Sequence, residues 1–411
     1  MDQSRVAALD NLDPLRDFRQ RFVLPADKVY LDGNSLGALA HEVEAATGRV
    51  LREQWGDDLI ASWNSHGWID LPLQVGEKIA PLLGAAPGQV ICADSLSVNL
   101  FKVLAAALQL RPGRHRIVSA ADNFPTDLYL VQGLSALLGT GACELVQVPE
   151  EAVAEALDQH TAVLLLSHVN FRSGRLLPMT ELTAAARDVG AMSVWDLAHS
   201  AGVMPLALDA EGVDFAVGCG YKFLNGGPGA PGFLYAARRH HGGLSQPLTG
   251  WMGHRAPFDF SPDYAPAAGV LQFLCGTPPV LSMAALDAAL EMFKGLDLAV
   301  VRAKSISLAT LFLELLHQRG LSDLFTLASP AQAALRGSHL ALRHPLAYGV
   351  VQAWIARGVV ADFREPDILR VGFAPLYNSH ADVLTAVDAL QAVLRAEEHR
   401  DPRWQQRQRV T

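Results

Sequence analysis

Cysteine is scarce in this chain. Its four residues, Cys92, Cys143, Cys219 and Cys275, lie far apart and form no C-x-x-C pair. That argues against a disulfide or zinc framework and makes a reducing cytoplasm the expected home. No H-E-x-x-H and no clustered His/Cys spacing occurs either, so no metal is expected. Long apolar runs are missing. No uncharged stretch approaches the ~20 residues of a membrane span, and Met1-Asp2-Gln3-Ser4 lacks the basic-then-apolar layout of a signal peptide. A basic excess is absent too. The net charge of -9 speaks against a protein that coats nucleic acid. There is no internal repeat and no low-complexity segment.

What is present is globular. Half of the 411 residues are hydrophobic and 18% are charged, and the length suggests two or three domains. The first residues read as a helical arm (Leu9, Leu12, Leu15, Phe18, Phe22) ended by Pro25. A turn-rich loop, Tyr30 to Gly37, and a polar helix, His41 to Trp55, follow. Ser62 to Pro72 is irregular and aromatic, either a binding loop or packing under a loop. From Gln89 a rhythm begins. Short apolar strands are predicted at Gln89–Ala93, Arg116–Ser119, Cys143–Val148, Val163–Ser167, Ser193–Asp196, Phe215–Val217 and Gly232–Ala236. Helices are predicted at Leu96–Leu110, Pro125–Leu138, Glu150–Leu157 and Met179–Val189. That alternation predicts right-handed βαβ units and a mainly parallel, doubly covered sheet of seven strands. Past residue 245 come a proline-rich loop (Pro247 to Pro279) and a long amphipathic helix from Val280 past Lys304, with a break at Gly295. An α+β segment (Phe325 to Leu394) and a polar, Arg-rich tail read as solvated (His399 to Thr411) complete the chain. The expected division is 1–60, an N-terminal arm and active-site loop; 61–285, a large α/β domain; and 286–411, a small α+β domain.

In such a sheet, functional residues sit beyond the carboxyl ends of the strands. The first strand leads into Asp94-Ser-Leu96-Ser97, a helix start suited to one phosphate, or plain N-capping by Ser95. The next leads into Asp122-Asn-Phe124-Pro125-Thr126-Asp127, where Phe124 is placed to cover a flat ring. Ser167 ends another. Asp196 ends the next, with His199 three positions on. A buried carboxylate is costly without a cation, and a protonated pyridine nitrogen would be one. Last comes Lys222, 26 positions after Asp196, in the glycine-rich turn of Gly218, Gly220, Gly226, Gly227 and Gly229. Alone it reads as a surface amine. With its neighbours on one sheet edge it becomes the imine-forming lysine of a pyridoxal 5'-phosphate pocket.

These motifs resemble those of kynureninase, a fold-type I pyridoxal-phosphate enzyme of the class V aminotransferase group. Leu31-Asp-Gly-Asn-Ser-Leu-Gly37, Asp122-Asn-Phe-Pro-Thr-Asp127, Asp196-Leu-Ala-His199, Gly220-Tyr-Lys-Phe-Leu-Asn225 and Leu369-Arg-Val-Gly-Phe-Ala-Pro-Leu-Tyr-Asn-Ser379 carry the resemblance in family order. It implies the fold-type I transferase architecture and hydrolytic Cβ–Cγ cleavage of L-kynurenine to anthranilate and L-alanine in a cytoplasmic homodimer whose active site lies at the subunit interface. It further implies pyridoxal 5'-phosphate in aldimine linkage to Lys222, which then shuttles protons, with Tyr221 as a proton relay. Asp196 would hold the pyridinium. Leu96, Ser97 and Tyr221 would serve the phosphate and its surroundings, and Phe124 the ring. Pro125, Thr126, Asp127, Ser167 and His199 would line the cofactor site. Trp251 and Thr277 would contact the phosphate from the neighbouring subunit, Arg370 would clamp the substrate α-carboxylate, and Asn34 and His66 would reach the substrate. Gly276-Thr277 stands where animal relatives carry Ser-Asn, which favours L-kynurenine over its 3-hydroxylated form.

Two rivals stay open on sequence. One is another fold-type I reaction, transamination or cysteine desulfuration, the latter needing a persulfide-forming cysteine on a mobile loop. The other is a non-catalytic cofactor-binding protein, against which the joint presence of Lys222, Asp196 and Arg370 speaks.

Overall fold

The computed structural model describes residues 3–139, 141–404 and 406–407. Thirteen strands occur in chain order among them: β1 Val29–Tyr30, β2 Val90–Ala93, β3 Arg116–Ala120, β4 Glu144–Val148, β5 Thr161–Ser167, β6 Met192–Asp196, β7 Phe215–Cys219, β8 Gly232–Ala236, β9 Thr326–Leu327, β10 His339–Arg343, β11 Val359–Val360, β12 Asp362–Arg364 and β13 Ile368–Gly372. The seven expected strands form one sheet in the order β2-β8-β7-β6-β5-β3-β4. Only β8 runs against the rest, antiparallel to both β2 and β7. Strands β5 to β8 are buried along their whole length, as apolar runs covered on both faces should be. Because β2, β3, β5, β6 and β7 share a direction, their carboxyl ends open on one edge.

Helices Leu96–Gln109, Pro125–Leu138 and Met179–Asp188 form close to the predicted bounds. The predicted helix Glu150–Leu157 does not. Only one turn, Glu150–Ala152, forms after Pro149. The Asp158 side chain then organises a polar turn, accepting from Thr161 Oγ1 at 3.0 Å and His160 N at 2.9 Å. The N-terminal helix ends at Leu12, well before Pro25. Pro14 disfavours helical geometry at Asp13, whose carboxylate instead accepts from Leu15 N at 2.9 Å. The break at Gly295 occurs as expected, between Val280–Leu290 and Leu298–Gln318, with Gly295 at φ +75°.

The C-terminal part packs its own core around Phe312, Trp354, Leu369, Val371 and Phe373. Its sheet runs β12-β13-β10-β9, all antiparallel. The N-terminal arm belongs to this core: Val6 and Leu31 are buried in it, β1 pairs with β11, and Asp32 bridges to Gly372. The supposedly solvated tail also packs there. His399 is buried, and Trp404 Nε1 donates to Glu398 O at 3.1 Å. The tail's residues 405 and 408–411 lie outside the described residues. No described helix is long and apolar enough to cross a membrane.

Candidate active site

Lys222 follows β7 in a turn held by Gly220 N to Pro231 O (3.0 Å) and Gly226 N to Gly220 O (2.8 Å). The Asn34–Gly37 loop seats directly on it. Gly37 N donates to Tyr221 O at 2.8 Å, and a Cβ on Gly37 would lie 2.4 Å from Lys222 O, so only glycine permits the approach. Lys222 is half-buried, and Nζ lies 3.0 Å from His199 Nε2. Burial pulls the lysine pKa down, and the charges of Arg370 and Arg364 push the same way, against Cys219 and Asp196. The result is an amine inclined to neutrality, as a nucleophile and base requires. His199 is buried, and burial with the nearby lysine keeps its ring neutral.

Beside the lysine stand two buried carboxylates. Asp196 ends β6 and accepts from Ala198 N at 2.8 Å. Asp127, on the helix after β3, accepts from Asn123 Nδ2 at 3.0 Å, while its Oδ1 has no hydrogen-bond partner. Asn123 Oδ1 in turn accepts from Ser167 N at 2.7 Å, tying the ends of β3 and β5 together. Burial raises the pKa of both acids, and the Asp196 charge drives Asp127 well up. Two acids share a dry corner whose only nearby cation, Lys222, is itself inclined to neutrality. Such a corner is stabilised by a cation from outside the chain.

The opposite side is built from β12, β13 and the arm. Asp362 and Arg370 are directly paired cross-strand residues. Arg370 is buried, and its Nε donates to Asp362 Oδ1 at 2.9 Å while Nη2 donates to Asp362 Oδ2 and, at 2.9 Å, to Ser35 Oγ. Nη1 donates to the Phe171 carbonyl. With its amide oxygen facing the guanidinium, Asn34 accepts from Arg370 Nε at 3.0 Å. Arg364 Nη2 approaches the same Asp362 Oδ2 at 2.8 Å. Burial raises Asp362, but the two guanidiniums outweigh it and hold the group below the usual carboxylate range.

Of the expected residues, Lys222, His199, Asp196, Asp127 and Ser167 therefore gather at one place, and Asn34 joins Arg370. Tyr221 is half-buried, with Lys222 Nζ 5.9 Å from its ring centroid, and burial raises its phenol. Phe124 is 37% exposed and meets Phe171 edge-on at 5.2 Å between centroids. Pro125 and Thr126 open the helix that carries Asp127. Leu96 and Ser97 open theirs, capped by Ser95 Oγ accepting from Val98 N at 3.3 Å. Thr277 is exposed, whereas Trp251 is half-buried and meets Phe258 edge-on. His66 pairs with Asp58 at 2.6 Å, in the arm-side loops. Sequence reasoning missed Asn123, Ser35, Asp362 and Arg364. The last two carried a signal: acid and base alternate two apart in a strand one hairpin before Arg370.

Known proteins can now be set beside this geometry. Residues 74–344 match the family Aminotransferase class-V, and residues 301–390 match the Kynureninase C-terminal domain. A kynureninase of Burkholderia pseudomallei (strain 1106a) is 46% identical over 409 residues, covering 98% of each chain. A kynureninase of Pseudomonas fluorescens is 45% identical over the same length and coverage. The chain belongs to the kynureninase family. Among solved structures, a cysteine desulfurase of Thermococcus onnurineus superposes at TM-score 0.77 with 19% identity, covering 92% of this chain and 98% of that one. A C-DES mutant with glycine covalently linked to its pyridoxal-phosphate cofactor superposes at 0.79, also at 19% identity, over 91% of this chain and 98% of that one. At that identity the likeness concerns the fold: kynureninases share the fold-type I architecture with desulfurases.

The cofactor of this fold, pyridoxal 5'-phosphate, fits the residues present. Its pyridinium would be a further cation for Asp196 and Asp127, whose pKa values burial raises, its aldehyde suits the Lys222 amine, whose pKa burial lowers, and its phosphate suits the N–H groups at the Leu96–Ser97 helix start. No group of three or more His, Cys, Asp or Glu side chains placed to hold a metal ion occurs among the described residues. The thiols do not suit persulfide chemistry: Cys92, Cys143 and Cys219 are buried, and Cys275 Sγ is hydrogen-bonded to Leu248 O at 2.7 Å.

Proposed function

We propose that this chain is a kynureninase, a hydrolase acting on carbon–carbon bonds in ketonic substances. It cleaves L-kynurenine between Cβ and Cγ to give anthranilate and L-alanine, a step of tryptophan breakdown, with the 3-hydroxylated compound as a poorer substrate. The observation that carries this is the Lys222 amine, its pKa lowered by burial, 3.0 Å from His199 and set between a buried acid pair and a buried arginine. That arrangement accepts a cationic ring on one side and an amino-acid carboxylate on the other. Full-length identity to curated kynureninases supports the particular reaction.

When bound, the cofactor supplies an electron sink at the substrate α-carbon. The rest is the chain's own work. The Arg370 side of the site, with Asn34 and Ser35, orients the α-carboxylate so that the Cα proton faces Lys222 Nζ, which takes it. His199, kept neutral, shares a hydrogen bond with the lysine without adding charge. Water adds to the γ-carbonyl, the Cβ–Cγ bond breaks, and anthranilate leaves with the added oxygen in its carboxylate. Tyr221, whose phenol stays protonated, delivers a proton to Cβ, completing L-alanine.

The working unit is a homodimer in the cytoplasm. Thr277 is exposed in a single chain, and Ile60, Phe258 and Phe260 expose an apolar surface around the half-buried Trp251, which a neighbouring subunit would cover. The division into an arm (1–60), a large domain (61–285) and a small domain (286–411) assigns cofactor binding to the middle part and carboxylate binding to the outer two.

The test uses the purified, cofactor-loaded protein. It should be yellow, lose that colour on borohydride reduction with the label on the Lys222 peptide, and convert L-kynurenine to fluorescent anthranilate and alanine without a keto-acid acceptor. Amino transfer to a keto acid with no anthranilate formed would sink this reading in favour of a transaminase.

A further inference from the structure

Three imidazole nitrogens are buried beside the lysine without a hydrogen-bond partner: His199 Nδ1 and both ring nitrogens of His339. His339 is 1% exposed and takes no part in the chemistry set out above. It lies on β10 opposite Gly372, two residues before Ala341, which is the cross-strand partner of Arg370. It therefore projects from the same face of the small sheet as Arg370. The Gly174 turn closes over it, for a Cβ on Gly174 would lie 3.2 Å from His339 Nε2. Its ring centroid stands 5.4 Å from that of His199, whose Nε2 meets Lys222 Nζ at 3.0 Å. A line of three nitrogen-bearing side chains thus runs from the large sheet into the small one. Burial keeps both rings neutral. It draws His339 down to about 3, with Arg370, Lys222 and Arg364 pushing the same way against Asp362. It draws His199 down as well, with Lys222, His339, Arg370 and Arg364 adding to the effect.

A neutral imidazole carries one N–H and one lone pair, so the proton of His199 sits on Nδ1 or on Nε2. Lys222 decides between them. As an amine or as an ammonium it has N–H groups to donate, and an Nε2 lone pair accepts from either form. An Nε2–H would serve only the amine and would oppose the ammonium formed once the lysine has taken a proton. The Nδ1–H tautomer therefore suits both states, but it leaves a buried donor in need of an acceptor. From this geometry we infer that His339 is a positioning residue: through one bridging water it holds the His199 proton on Nδ1, so that Nε2 receives Lys222 in both of its proton states. A neutral His339 has the lone pair and the N–H that such a water needs, and buried waters settle on polar groups left unsatisfied in this way.

The inference rests on Lys222 as the base of the proposed reaction, but half of its test needs no turnover. His339→Phe keeps the bulk and removes both nitrogens, whereas His339→Gln keeps a donor and an acceptor. For each variant the pH midpoint of Lys222 acylation is read by mass spectrometry on the full-length, cofactor-free chain. The acid limb of kcat for L-kynurenine is read on the cofactor-loaded enzyme, and thermal unfolding reports folding. Loss of the acceptor disfavours the ammonium, so both midpoints should move down in the Phe variant by about one pH unit. In the Gln variant they should stay within about 0.3 unit of wild type. A purely structural role would produce neither the shift nor its rescue. A folded Phe variant with wild-type midpoints, an upward shift, or a Gln variant that moves as far as the Phe variant would overturn the inference. If the Phe variant does not fold, His339→Leu, smaller and equally without hydrogen-bonding groups, is read by the same criteria. If wild type makes no anthranilate, the proposed function fails, whereas the acylation midpoint still reads His339.

Discussion

The two sides of the site are opposites in how they handle buried charge. On the large-sheet side, Asp196 and Asp127 are buried acids that the nearby Lys222 does not offset, and burial drives both pKa values up. On the small-domain side, Asp362 is also buried, yet two arginines hold its pKa down. The same side chain in the same dry surroundings moves in opposite directions, and the difference is whether the partner is part of the chain. One side is unfinished and suited to a cation arriving from outside. The other is nearly self-satisfied. Lys222 stands between them, its pKa lowered by burial and by the arginine charges against the pull of Cys219 and Asp196.

The largest expected effect comes from removing what stands between. Lys222→Ala should lower anthranilate formation at least about 10,000-fold, measured by fluorescence under saturating cofactor, and borohydride should then fix no label in the chain. Activity within tenfold of wild type would end the assignment. Next comes the unfinished side itself. Asp196→Asn should lower kcat by about 100- to 1,000-fold, since a neutral amide cannot balance a pyridinium. Asp127→Asn should cost far less, roughly tenfold, because burial and the Asp196 charge already disfavour its ionised form, which a neutral amide removes. Equal losses in the two variants would show that Asp127 works as a carboxylate, and the contrast between the sides would have to be redrawn.

The large-sheet side was legible in the sequence and the small-domain side was not. Apolar strands of four to seven residues announce themselves, and a parallel sheet dictates that their polar endings converge, so Asp196, Asp127 and Lys222 could be placed on one edge beforehand. Asn34, Ser35 and Arg370 are brought together by a different kind of contact. Residues 29–32 pair with segments more than 300 positions away, and no local pattern encodes that pairing. The failed helix at Glu150–Leu157 has a similar origin. Burial of Val153 and Leu157 supplied helix-like spacing, while the polar turn at Asp158–Thr161 set the backbone. Pro14 was readable and would have ended the first helix where it ends.

The smallest effect probes Asp32, an acid on the small-domain side whose pKa moves up rather than down. Asp32 sits at the bridge to Gly372, and its Oδ1 is sealed without a hydrogen bond. Burial and the facing Asp362 charge raise its pKa to about 7, against the pull of Ser35 and Arg370; Tyr30, Tyr377 and Arg364 also feel its charge. Between the ordinary value of 3.8 and about 7 the folded protein therefore holds a proton that the unfolded chain has released. Stability must fall with rising pH across that window, with the full penalty present above it. Asp32→Asn has no such proton to lose. The variant's melting temperature, measured against wild type, should gain by a few degrees from pH 5 to pH 8, with most of the gain between pH 5 and pH 7. Parallel curves would mean that Arg364 and Arg370 neutralise Asp32 as fully as they do Asp362, and the contrast between these two neighbouring acids would close.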